Sequence, residues 1–136
     1  MTTTPADTAT TATDGAVAEG FLETLQRRDL AGLAAYLAPD VRFRALVPPG
    51  VLEFGDPAEV VARFTRWFGG ADDGFTSLAG AVEPTGGKWH LSWAIRMDRA
   101  ESGVAEVAEQ QVYARIEGGV IVAMDLLCAG FQPVTD

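Results

Sequence analysis

The chain has 136 residues, 48% of them apolar, which suffices for one compact domain with a real core. Nineteen acids against ten bases give a net charge of −9 and no basic patch, so neither nucleic acid nor an anionic membrane is an expected partner. With one cysteine, Cys128, and one histidine, His90, no internal disulfide can form, and no metal site or other cofactor is expected.

The N-terminal MTTTPADTATTAT lacks the basic and apolar regions of a secretory signal, and no apolar run approaches membrane-spanning length. It reads as a disordered Thr/Ala-rich tail over residues 1–13, ahead of a single cytoplasmic domain over 14–136. Asp14 can cap a helix in which Val17, Ala18, Phe21 and Leu25 recur at helical spacing. Asp29 caps a short second helix with Leu30, Leu33 and Leu37 inward, ended by Pro39. Val41, Phe43 and Ala45 alternate with Arg42 and Arg44 as a half-buried strand, and Pro48-Pro49-Gly50 breaks it into a loop. Asp56-Pro57-Ala58-Glu59 starts a third helix with the apolar stripe Val60, Phe64, Trp67 and Phe68, ended by Gly69-Gly70. Four strands follow, over 75–83, 88–98, 104–116 and 119–129, joined by Gly-containing turns. Helices followed by an antiparallel meander predict an α+β domain with the helices packed on one face of a curved sheet.

Arg96-Met97-Asp98 lies within one of these strands, so Arg96 and Asp98 point the same way and Met97 the other. Trp89, Leu91, Trp93, Ile95 and Met97 make an apolar face; His90, Ser92, Ala94, Arg96 and Asp98 make a polar one. If the sheet has one wet side, the apolar set meets the helices and Arg96 with Asp98 is a surface pair worth little. The last strand argues otherwise. Asp125 is the one charge among Ile121, Ala123 and Leu127, and the opposite side (Val120, Val122, Met124, Leu126, Cys128) is apolar too. A strand apolar on both sides is buried on both sides. That predicts a cavity under the polar face and a homodimer through the outer sheet face, here the Trp89–Met97 set. Arg96, Asp98 and Asp125 would then be either a buried salt-bridge network or an acid/base site.

The element order, together with FLETLQRRDLAGLAAYLAPDVRF, GDPAEVVARF and EGGVIVAMDLL, resembles the NTF2-like cone-fold superfamily. The resemblance is to its SnoaL-like polyketide cyclase and limonene-1,2-epoxide hydrolase branches, and covers residues 16–131. It implies three N-terminal helices on a strongly curved antiparallel sheet enclosing a cavity. It also places an Arg-x-Asp pair on Arg96 and Asp98 and a second Asp on Asp125. Asp98 would protonate an epoxide oxygen, Asp125 would activate the nucleophile, and Arg96 would bridge both carboxylates. The family's water-holding Tyr and Asn are replaced by Phe43 and Ala45, which fits an internal nucleophile and cyclisation. The base of ketosteroid isomerases would fall on Ala45 and their oxyanion tyrosine near Phe21, so that chemistry is set aside.

The resulting expectation is a cofactor-free acid/base enzyme on a small hydrophobic substrate, opening an epoxide by hydrolysis or intramolecular cyclisation or running a polyketide-type cyclisation, with Arg96, Asp98 and Asp125 catalytic. Phe43, Ala45, Phe64, Trp67, Phe68, Val107, Glu109, Gln111 and Leu127 would line the substrate pocket. The alternative is a non-catalytic protein that holds a hydrophobic ligand or partner in the same cavity. His90 reads as an exposed or hydrogen-bonded histidine, and Cys128, facing away from Asp125, as a small buried hydrophobe.

Overall fold

The computed structural model describes residues 4–134, with side chains from Thr13 onward. The order is α1 (Thr4–Gln26), a 3-10 helix (Ala31–Tyr36), β1 (Leu37–Val47), β2 (Gly50–Phe54), α2 (Pro57–Phe68), β3 (Gly74–Thr85), β4 (Lys88–Asp98), β5 (Ala105–Glu117) and β6 (Val120–Pro133). The six strands form one curved sheet in the order β2-β1-β6-β5-β4-β3. Every pairing is antiparallel except β1 with β6, which is parallel. The helices pack on one face, hereafter the inner face. The α+β expectation holds.

Local signals act largely as read. The Asp56 carboxylate accepts from the Glu59 N–H at 2.9 Å, Pro57 occupies the first turn, and Gly69 closes α2 on the Thr65 carbonyl. Asp29 accepts from the Gly32 N–H at 3.1 Å, but the short segment it starts tightens into a 3-10 helix, with Leu30, Leu33 and Leu37 buried. Two elements differ. The segment after Pro48-Pro49 is a strand, β2, which folds back on β1 and stacks Phe54 on Phe43 at 5.6 Å. Of the tail expected at 1–13, residues 1–3 lie outside the described part, and α1 is already under way at Thr4.

The larger correction concerns the faces of the sheet. Leu91, Ile95 and Met97 are fully buried and Trp93 nearly so, all turned toward the helices. The Trp89–Met97 face is therefore the core and cannot be a subunit interface. The polar face, with His90, Ser92, Ala94, Arg96 and Asp98, looks outward. An antiparallel sheet with one wet side puts its apolar residues against the helices, and this one obeys.

The ends of α1 and α2 are tied to the sheet by two arginines. Arg28, in the left-handed region at φ 61°, donates to the carbonyls of Phe68 (2.8 Å), Gly70 (2.8 Å) and Asp73 (3.0 Å). Arg99 donates to Asp73 (3.3 Å) and Glu106 (2.9 Å) and lies 5.0 Å over the Phe131 ring. The Ala100 N–H donated to Asp73 holds its carboxyl below the usual carboxylate range, with Arg99 and Arg28 assisting against partial desolvation. A depressed folded-state pKa adds stability above the unfolded value and loses it as pH falls through the folded value. Asp73→Asn should therefore lower stability at pH 7, and its deficit relative to wild type should shrink below about pH 4. Urea denaturation across pH 2.5–7 checks this, and a deficit independent of pH would count against the Asp73 assignment.

Candidate functional site

The structure does not assemble Arg96, Asp98 and Asp125. Arg96 donates to Asp98 Oδ1 at 3.2 Å, and the two side chains are 41% and 51% exposed on the outer face. Asp125 instead pairs with Arg42 (3.4 Å) and Arg44 (3.3 Å) of β1. Its row across the sheet runs through Tyr113 to His90. Arg96 follows His90 along β4, with Ser92 and Ala94 between them on the same face, so it stands roughly 20 Å from Asp125 along the strand direction. The expected site is thus corrected to two separate surface ion-pair groups. The reason lies in β6. Its inner face is core, but its outer face, Ala123, Asp125 and Leu127 among its residues, leaves Leu127 46% exposed, so two-sided apolarity did not mean two-sided burial. An irregularity between Arg115 and Ile116 also turns Ile121 inward, out of phase with Asp125.

The expected pocket residues divide. Val107, Glu109, Gln111 and Leu127 lie on the outer face. Phe43, Ala45, Phe64 and Phe68 are fully buried core, packed with Phe21 where a cavity was expected. His90 is satisfied: it lies 3.4 Å from Glu83 and 2.9 Å from Gln111 and stacks on Tyr113.

Trp67 belongs to a different place. Where the β1–β2 hairpin, α2 and the end of β6 meet, an apolar pocket of about 290 Å³ is lined by Val47, Pro48, Pro49, Leu52, Arg63, Trp67, Cys128, Gly130 and Phe131. Gly130 has φ 93°, and a Cβ there would sit 3.0 Å from Pro48, so glycine lets the hairpin close over the strand end. Behind the pocket, the Trp93 indole N–H donates to Gln110 Oε1 at 2.8 Å inside the core. Gln110 Nε2 in turn donates to Cys128 Sγ at 3.3 Å, and the Gly130 N–H reaches the same sulfur at 3.4 Å. Cys128 does face away from Asp125, but it is only half-buried and forms part of the pocket wall.

Sequence reasoning had passed over Gln110 and Arg63. Gln110 shares its parity with Val112 and Ala114, which marked it as inward. Arg63 precedes Phe64 on α2, and nothing in the helical pattern signals that it lines a pocket formed by distant strands. Chemically the lining offers apolar walls, two aromatic rings, one cation and a thiol, and no carboxylate. Among the described residues, no cluster of His, Cys, Asp and Glu could hold a metal, and no helix is long and apolar enough to cross a membrane.

The family model described as a SnoaL-like domain matches residues 18–124. An NTF2-like protein from Burkholderia thailandensis superposes with a TM-score of 0.69 at 18% identity, covering 85% of this chain and 89% of its own. An LEH-like epoxide hydrolase from M. tuberculosis gives 0.64 at 14% identity, covering 86% and 83%. An NTF2-like protein of unknown function from Burkholderia pseudomallei gives 0.63 at 22% identity, covering 88% and 91%. These likenesses establish the fold. No curated protein matches the sequence.

Because both aspartates sit in exposed pairs, Asp98→Asn and Asp125→Asn should each change stability by less than about 1 kcal/mol. Losses of about 3 kcal/mol or more in urea denaturation would indicate buried, essential charges instead.

Proposed function

The chain belongs to the SnoaL-like domain family, and we propose that it is a non-catalytic small-molecule-binding member. Its ligand is a small, largely apolar molecule held between Trp67, Phe131, Leu52 and the Pro48-Pro49 turn. One observation carries this reading: the pocket lining is apolar and aromatic and has no carboxylate. Acid/base opening of an epoxide, or a cyclisation run by Asp98 and Asp125, needs both groups at one reacting centre, and they face outward on different strands. The pocket volume lies at the small end of the ligand-site range, which suits a compact ligand.

The test is calorimetric titration of the full chain with a neutral aromatic probe such as 1-naphthol. Binding in the micromolar to low-millimolar range is expected. Cys128→Phe and Leu52→Trp, which fill the space, should each weaken it by at least ~10-fold. Gln111→Phe on the outer face should leave it within about 3-fold. Undiminished binding by both filled variants, or no binding at all, overturns the proposal.

We also propose that a second copy of the chain covers the outer face. Leu46 and Leu127 are neighbours in register, each 46% exposed. Across β5, Ala79, Ala81, Ser92 and Ala94 leave a shallow depression of about 300 Å³. A two-fold axis lying in the interface along β5 would set the two leucines of one copy in the depression of the other and bring Arg44 toward Glu83. Leu127→Glu should raise the dimer dissociation constant at least ~10-fold by sedimentation. A wild-type monomer at micromolar concentration would refute the dimer.

A further inference from the structure

The cation at the pocket edge points to the charge of the occupant. Most of the basic side chains are accounted for within the chain. Arg42 and Arg44 meet Asp125, Arg96 meets Asp98, Arg99 meets Asp73 and Glu106, and Arg115 meets Glu117. Arg28 is spent on three carbonyls, and Arg27 reaches the Thr24 hydroxyl. Lys88 and Arg66 are exposed to water.

Arg63 is different. It is half-buried, and its one described contact is the Phe54 ring, 5.8 Å from the guanidinium carbon. Glu59 stands one turn earlier on α2, at the spacing that favours an ion pair, yet no carboxylate lies within 4.0 Å of Arg63 among the described residues. In a chain with nineteen acids and ten bases, a partly desolvated guanidinium without an oxygen partner is an exception. Arg63 lines the apolar pocket and also a neighbouring surface depression with Phe54, Glu59, Ala62 and Arg66, and its fork of N–H donors matches a carboxylate in two parallel hydrogen bonds.

We infer that the occupant of this pocket is an organic monoanion, an aromatic or branched aliphatic carboxylate whose head pairs with Arg63. The inference rests on the binding reading above and adds the ligand's chemical class. Its apolar body lies against Trp67, Phe131 and Leu52, and a volume of about 290 Å³ admits roughly ten to thirteen non-hydrogen atoms. The apolar walls strengthen the ion pair by excluding water from it. They also select against larger, more polar anions such as nucleotides, whose phosphates would have a single cation to meet.

Cinnamate and cinnamamide, nearly isosteric and differing in charge, are the probes. On the full chain at pH 7, titration calorimetry should find cinnamate at least ~10-fold tighter than the amide. Arg63→Met should erase that preference while holding amide affinity within about 3-fold, and Arg63→Lys should keep part of it. Equal affinity for the two probes in wild type overturns the carboxylate assignment and leaves the binding reading standing. So does a preference that survives Arg63→Met. Failure of both probes to bind wild type removes both.

Discussion

The Phe64 ring stands where all the layers of this fold meet. Its centroid lies 6.0 Å from Phe21 of α1, 6.3 Å from Phe43 of β1, 5.4 Å from Trp67 and 6.1 Å from Trp93 of β4. Such aromatic pairs add about 0.5–1.5 kcal/mol each beyond the area they bury, and here several share one ring. Phe64 thereby keys α2 to α1 and to the inner face of the sheet at once. It also fills the centre of the space between helices and sheet, so the rings themselves decide what chemistry the interior can hold.

An interior of this kind admits few polar groups. An isolated carboxylate among Phe64, Trp93 and Leu91 would lack the charge partners that make burial tolerable. Gln110 is one of two buried polar side chains among the described residues, with Thr24; it is 1% exposed, and its amide is satisfied on both sides by the Trp93 indole and the Cys128 sulfur. That bridge links β4, β5 and β6 through side chains as well as the ladder, and it ends on the wall of the pocket. The apolar order of the core thus continues to the rim, where Cys128 and Phe131 emerge beside Pro48 and Arg63. The open pocket sits at the edge because the middle is packed.

Much of this was legible in the sequence. The Asp56-Pro57 start of α2, its buried stripe, the strand alternation of Val41, Phe43 and Ala45, and the four-strand meander are local patterns with local causes, and they appear where the residues put them. The short strand β2 was not legible, because Val51 to Phe54 is too brief to display a period and its hairpin is closed by prolines. The pocket was only partly so. Trp67 is among the residues expected to line a pocket, but it borders this one at the rim and not an interior cavity. Arg63 and Phe131 are brought together by packing between α2 and the end of β6, a relation between segments far apart in the chain.

The error over Arg96, Asp98 and Asp125 has a single physical source. An Arg-x-Asp phrase on a strand keeps its spacing whichever face it occupies, and a shift of one residue relative to the core exchanges inside for outside. Here the inward position is Met97, fully buried, and the two charges flank it on the wet side. The alternation of β4 alone gave the right answer, since five apolar residues at period two outweigh one ambiguous strand. What misled was β6, whose outer face is apolar enough to suggest burial yet leaves Leu127 nearly half exposed. Family resemblance transfers the fold because the fold rests on many weak patterns acting together. A site rests on a few side chains whose facing must be established one by one, and in this chain the facing leaves Arg96, Asp98 and Asp125 in separate surface pairs.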